Sequence, residues 1–151
     1  MAKLTAAAAK SLSIAALLLM MIGMMGLLVI HSLFARNPVG IAVQVAAAAL
    51  MIWARLTFGS RSFHARADPT PGGLVTTGPY RFIRHPIYTA ICLFAWTGVL
   101  SNWSVPAATF GILVTLGAVG RMLCEEQLVV ELYPEYRQYA RTTKRMVPGV
   151  F

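Results

Sequence analysis

An all-helical integral membrane protein is the fold class that this sequence predicts, and three observations predict it. Hydrophobic residues make up 58% of the chain, whereas they make up about 45 to 50% of a soluble domain. Mean hydropathy is +0.67 and only 12% of the residues are charged. The 13 Lys and Arg residues, against 5 Asp and Glu, flank the apolar runs, which is typical of membrane topology. The length of 151 residues suits a single domain.

The first two apolar runs predict an N-terminal helical hairpin over residues 1–56. Lys3 and Lys10 precede an uncharged run over residues 11–35, which is long enough to cross a hydrocarbon core of about 30 Å. The apolar part of a signal peptide is shorter, about 7 to 15 residues, so we interpret this run as a retained helix. A short turn at 36–38 leads to an alanine-rich run over 39–56, which carries Trp53 and Arg55 near its end.

A polar segment and a second hairpin follow. Residues 57–86 are rich in Gly, Pro and Arg, so we expect an ordered loop of the kind that often carries function. The apolar runs 87–100 and 105–123 are joined by an uncharged turn at 101–104. They predict a second hairpin over 87–123, although its first run is short for a span.

The last segment, residues 124–151, is predicted to be a tail that is mostly helical, with an interruption near Pro134. Basic residues concentrate in this tail and in the loop 57–86. By the positive-inside rule, four helices cross the membrane and both termini and the central loop face the cytoplasm. Membrane lipids are therefore expected partners. Nucleic acid is not, because the basic residues form no single stripe. Cys92 and Cys124 have no spacing that indicates a disulfide or a metal site.

Two polar segments carry candidate chemistry. In the stretch 78–88, a Pro after His85 predicts that a helix begins there, with Tyr88 one turn inside it. Arg121 and Glu125 are four residues apart, so they share one helix face. Each feature alone fits an interfacial residue or a surface ion pair. An arginine within an apolar helix is nevertheless a candidate functional residue. Together these features predict a pocket on the cytoplasmic side.

The motifs themselves resemble a known family. Residues 74–88 read LVTTGPYRFIRHPIY, and one hairpin later come Arg121, the pair Glu125-Glu126, YRQY at 136–139 and Val147-Pro148. This combination resembles the isoprenylcysteine carboxyl methyltransferase and phospholipid methyltransferase superfamily, over about residues 70–150. Ala90 stands where the family often has glycine, and the extra helices of larger members are absent.

The resemblance implies S-adenosylmethionine as methyl donor and a lipid-like acceptor, which is either a prenylated carboxylate or a phospholipid-type amine. Arg121 would face the acceptor as the catalytic residue. An amine acceptor would need a base such as Glu126 or His85. Carried over by position, the residues that would line the cofactor site are Gly72, Gly73, Leu74, Val75, Tyr80, His85, Pro86, Ile87, Tyr88 and Glu125.

Two other functions remain open at this point. Membrane sterol reductases share a related C-terminal half and use NADPH, although this chain is short for their multi-helix core. A non-enzymatic membrane protein would use the same polar segments only as headgroup contacts. That alternative predicts that conservative changes at Glu125 have no effect on the binding of a soluble ligand.

Overall fold

The computed structural model describes residues 5–59 and 73–151. Within these ranges the protein is helical and has no β-strand, which confirms the predicted all-helical class. The helices are α1 (Ala6–Val29), α2 (Pro38–Phe58), a 3₁₀ helix (Gly78–Arg81), α3 (Pro86–Ser101), α4 (Val105–Leu132) and α5 (Tyr136–Thr142).

The helix starts follow from local sequence. Asn37 caps α2 by accepting a hydrogen bond from Gly40 N at 2.7 Å, and Ser104 caps α4 by accepting one from Ala107 N at 3.2 Å. Such side-chain acceptors satisfy amide groups that have no partner within the helix. Pro38 and Pro86 begin α2 and α3, where the missing N–H costs nothing and the fixed φ suits the helix.

Among the residues that the structure describes, three helices are long and apolar enough to cross a membrane. They are α1, α2 and α4, whereas α3 is apolar but only 16 residues long. Large apolar side chains such as Met25, Val45 and Ile52 are mostly exposed on α1 and α2, as is expected of faces that contact lipid. α4 continues to Leu132, beyond the predicted end of the span at Leu123. Two turns of α4 therefore belong to the segment that we expected to be tail.

The most extensive helix contacts are not those within the two predicted hairpins. α1 packs mainly along α4, α2 packs mainly along α3, and α3 joins the two pairs through α4. Glycines allow the α1–α4 approach, since a Cβ at Gly117 would lie 2.6 Å from the Ala16 carbonyl oxygen. Among the described helices, α1 and α4 therefore form the most extensive helix–helix contact.

The two short connections meet at one end of the bundle. The Ser101 hydroxyl oxygen accepts a hydrogen bond from Arg36 N at 2.9 Å, and Asn102 Nδ2 donates to the Phe34 carbonyl oxygen at 2.8 Å. The 3₁₀ helix, the C-terminal part of α4 and α5 therefore lie at the other end. We call that end the tail end.

Gly98 in α3 offers a test of this packing. A Cβ there would overlap the Leu33 carbonyl oxygen and lie 2.6 Å from that of Ser32. Because backbone cannot move aside as a flexible side chain can, we expect Gly98→Ala to lower the free energy of unfolding by about 1–3 kcal/mol. The measurement is thermal or denaturant unfolding in detergent.

Gly120→Ala is the matched control for this substitution. The closest atom to a Cβ at Gly120 is the Ala16 Cβ, at 3.3 Å, and alanine favours a helix over glycine by about 1 kcal/mol. The control should therefore unfold close to the wild type. Equal unfolding midpoints for both variants would contradict the described contact between α3 and the first connection.

Candidate functional site

A hydrogen-bonded triad lies where α4 passes the first turn of α3, and it consists of Tyr88, Arg121 and Glu125. The Tyr88 hydroxyl donates to Glu125 Oε1 at 2.5 Å and accepts from Arg121 Nε at 2.8 Å. Arg121 Nε lies 3.1 Å from Glu125 Oε1. The i, i+4 spacing on α4 places the two charges on one face, and Pro86 starts α3 at the register that brings Tyr88 to them.

Burial distinguishes this triad from a surface ion pair. The Arg121 side chain is 7% exposed and that of Glu125 is 25% exposed, and Tyr88 is buried. Solvent therefore screens the Arg121–Glu125 pair far less than it screens an exposed pair. The Tyr88 hydroxyl and Arg121 Nε both contact the same carboxylate oxygen of Glu125, Oε1. The triad thus combines a buried cation with a carboxylate that is partly open to a ligand.

The neighbouring carboxylate, Glu126, has a different environment. Arg84 donates to Oε1 through Nε at 3.0 Å and Nη2 at 2.8 Å. Arg145 donates to Oε2 through Nε at 3.0 Å, and its Nη2 lies 2.9 Å from the same oxygen. His85 Nε2 lies 3.2 Å from Oε1, and the Tyr136 hydroxyl donates to the same oxygen at 3.2 Å. We call these five residues the Glu126 latch, because they join α4, α5, the segment before α3 and the segment after α5.

Backbone bonds reinforce the latch. Arg84 N donates to the Lys144 carbonyl oxygen at 2.8 Å, and His85 N donates to that of Arg145 at 2.9 Å. The Thr89 hydroxyl donates to the Met146 carbonyl oxygen at 2.9 Å. Residues 144–146 are therefore fixed along the start of α3, which places the tail beside the triad.

Two tyrosines, Tyr80 and Tyr139, contact each other in the same region, beside the latch. The Tyr139 hydroxyl donates to the Tyr80 carbonyl oxygen. Burial raises the pKa of Tyr139 to about 12 although the Arg84 charge opposes it, so the hydroxyl remains a donor at neutral pH. Burial, and then the negative charge of Glu125, raise the pKa of Tyr80. The Tyr80 ring lies 5.5 Å from that of Phe58, measured between centroids.

The structure brings some of the predicted site residues together and separates others. Tyr88, Arg121 and Glu125 are in direct contact. The His85 ring lies 5.8 Å from the Tyr88 ring, but its Nε2 faces Glu126. Tyr80 lies in the 3₁₀ helix and is buried.

The remaining predicted positions lie in the segment leading to α3 and in its first turn. Pro86 is buried and Ile87 is half-buried in that turn. Leu74 and Val75 are half-buried ahead of the 3₁₀ helix, and Gly73 is exposed with φ of 81°. Gly72 lies outside the described residues. Within the described ranges, no three His, Cys, Asp or Glu side chains are grouped so as to hold a metal ion.

The latch was not predicted from the sequence. Glu126 and His85 were expected only as bases for an amine acceptor, and Arg84, Arg145 and Tyr136 had no predicted role. One signal was present, because the few acidic residues of the chain include two adjacent glutamates close to a basic segment. The pairing itself needs the tertiary contact between residues more than 40 positions apart, such as Arg84 and Glu126.

Curated relatives match about half of the chain. The nickel-cobalt-cadmium resistance protein NccN of Alcaligenes xylosoxydans xylosoxydans is 33% identical over 78 residues, which are 50% of this chain and 36% of that protein. The cobalt-zinc-cadmium resistance protein CzcN of Cupriavidus metallidurans is 35% identical over 80 residues, which are 50% of this chain and 35% of that protein. The match thus spans about a third of each relative. No solved structure matches the chain.

A family comparison covers more of the chain. The family model described as phospholipid methyltransferase matches residues 35–136. This range includes α2, α3, α4 and all three residues of the triad. It confirms the resemblance seen in the motifs, and the apolar spans agree with a membrane enzyme of this kind. The chain belongs to the phospholipid methyltransferase family.

Proposed function

We propose that the protein transfers a methyl group from S-adenosylmethionine to a lipophilic acceptor at the cytoplasmic face of a membrane. The observation that carries this proposal is the buried triad of Tyr88, Arg121 and Glu125 at the tail end of apolar helices. A buried, hydrogen-bonded cation beside an accessible carboxylate suits a reaction between a cationic cofactor and an anionic or polar acceptor head.

The described residues fit this cofactor. The Glu125 carboxylate, whose side chain is 25% exposed, is suited to accept hydrogen bonds from the ribose hydroxyls or the amino group. The Ile87 and Tyr88 amides in the first turn of α3 have no partner within the helix, so they are suited to the cofactor carboxylate. Tyr80 and Tyr88 offer aromatic faces to the adenine or the sulfonium. When bound, the cofactor supplies an electrophilic methyl group on sulfur.

The chain mainly positions the reactants and excludes water. Methyl transfer is an in-line displacement, so its rate depends on holding the nucleophile and the methyl carbon in near-attack geometry. Arg121 would orient a polar oxygen of the acceptor, while Tyr88 and Glu125 fix the guanidinium. Glu126 is engaged by Arg84 and Arg145, which makes it a poor general base. This favours an acceptor that is nucleophilic without losing a proton, such as a carboxylate.

The charge distribution supports the proposed orientation. The tail end carries Arg81, Arg84 and the basic residues of α5 and the following segment, whereas the connections at the other end carry Arg36. The positive-inside rule assigns the more basic end to the cytoplasm. A soluble cofactor would then reach the triad from the cytoplasm and the acceptor would reach it from the bilayer.

The test is transfer of a labelled methyl group from S-adenosylmethionine by the purified protein to lipids in mixed vesicles. We expect the label in the organic extract. Mild base then distinguishes the acceptors, because a methyl ester releases labelled methanol and a methylated amine retains its label. Vesicles prepared from a total membrane extract supply both acceptor types. Absence of label from every lipid fraction, with folded protein, would contradict the proposal.

A further inference from the structure

An open pocket lies on the outer side of the Glu126 latch, between the end of α4, α5 and the last residues. Its volume is about 590 Å³, and its charged lining consists of Arg84, Glu126, Arg137, Arg141, Lys144 and Arg145. Five of these six side chains are cations and one is an anion. The triad residues Tyr88, Arg121 and Glu125 do not line it. The pocket is therefore a strongly positive concavity separate from the triad.

The single carboxylate does not cancel this charge. Glu126 is already paired with Arg84 and Arg145, so these three side chains together retain one positive charge. Arg137, Arg141 and Lys144 are exposed, and within the described residues none of their side chains forms an ion pair with an acidic group. Arg137 and Arg141 are one helical turn apart on α5, so both present guanidinium groups to one ligand.

Apolar side chains stand beside these cations. Val130, Val150 and Phe151 also line the pocket, and Val150 and Phe151 are 75% and 43% exposed. The Phe151 ring also lies 5.4 Å from the guanidinium carbon of Arg145. A cluster of cations in excess over the one carboxylate, next to exposed apolar surface, suits a ligand with an anionic head and an apolar part. Guanidinium forks match phosphate oxygens bidentately.

We propose that this pocket binds a phosphate group, either the headgroup of an anionic phospholipid or a soluble phosphate compound. The site is additional to the proposed methyl-donor site and rests on different residues. Because Arg84 and Arg145 belong to both the pocket and the latch, a ligand here would also hold the tail against the start of α3. A ligand bound in the pocket would therefore favour the arrangement in which the tail lies along the start of α3, beside the triad.

The experiment titrates the detergent-purified full chain with inorganic phosphate and, separately, with dihexanoyl phosphatidylglycerol. Dihexanoyl phosphatidylcholine is the zwitterionic control. Arg141→Gln removes an exposed pocket cation, and Arg36→Gln removes an exposed cation at the other end of the bundle. We expect Arg141→Gln to weaken phosphate or phosphatidylglycerol binding on the order of tenfold, as loss of a charge-assisted hydrogen bond does. Arg36→Gln should leave the binding unchanged.

Each outcome decides the proposal. Tighter binding of phosphatidylglycerol than of phosphate, weakened in Arg141→Gln, supports a lipid headgroup site. Similar binding of both, weakened in the same variant, supports a soluble phosphate compound. Three results overturn the proposal: no saturable binding, equal losses in the two variants, or displacement by S-adenosylmethionine, which would assign the pocket to the methyl-donor site. S-adenosylmethionine titrated alone shows separately whether the proposed function fails.

Discussion

Glu126→Gln is expected to lower the free energy of unfolding by about 3 kcal/mol and to release the tail from the start of α3. The substitution keeps the size of the side chain but removes the charge that Arg84 and Arg145 share. Glu126 is only 12% exposed and the Arg84 side chain 7%. Removing one partner of a buried pair costs about 3–5 kcal/mol, because the other charge remains buried and uncompensated. The lower figure applies here since Arg145 is partly exposed.

Unfolding in detergent and limited proteolysis measure these two effects. The variant should unfold at lower denaturant concentration, and the bonds after α5 should be cleaved faster. Glu131→Gln is the matched control, because Glu131 lies on the same helix and is exposed. A tail that is cleaved at the same rate in both variants would show that the latch does not hold it.

Arg121→Lys is expected to reduce methyl transfer by at least about 100-fold, which is the effect of removing one preorganised charged donor from an active site. Lysine keeps the positive charge but lacks the planar fork, and its ammonium cannot reproduce the Nε contacts to Tyr88 and Glu125. The expected loss is in turnover, since Arg121 is proposed to face the acceptor. Affinity for S-adenosylmethionine should change much less.

Arg36→Lys controls for the general effect of the exchange, because Arg36 lies at the opposite end of the bundle and is exposed. It should transfer methyl groups at the wild-type rate. Near-normal methyl transfer by Arg121→Lys would contradict the proposed role of Arg121 in orienting the acceptor. A parallel loss of transfer and cofactor binding would instead assign Arg121 to the cofactor.

Most of the fold was predictable because it depends on local sequence. The Pro residues at 38, 86 and 106 and the caps Asn37 and Ser104 mark where α2, α3 and α4 begin. The interruption predicted near Pro134 is confirmed between α4 and α5. The helical conformation of residues 124–132 agrees with the prediction of a mostly helical tail, and the structure shows that these residues continue α4 without a break. The pairing of α1 with α4 depends on close approaches such as that at Gly117, which no local pattern specifies.

The candidate site was predictable where one helix fixes the geometry. The spacing of Arg121 and Glu125 requires a shared face, and the structure places Tyr88 against both. The different environments of Glu125 and Glu126 could not be predicted, because adjacent residues on a helix point about 100° apart and only the packed neighbours decide what each meets. Arg84 lies before the start of α3 and contacts Glu126, whereas Tyr88 lies in the first turn of α3 and contacts Glu125.

The central claim is that Glu125 belongs to a site for S-adenosylmethionine. Its most direct test is calorimetric titration of the wild type and Glu125→Gln with S-adenosylmethionine and its demethylated product, beside Glu131→Gln. We predict saturable binding of both compounds by the wild type and by Glu131→Gln. Glu125→Gln should bind on the order of tenfold or more weakly, because a charge-assisted hydrogen bond is lost. Equal binding by Glu125→Gln, or no binding by the folded wild type, would contradict the account.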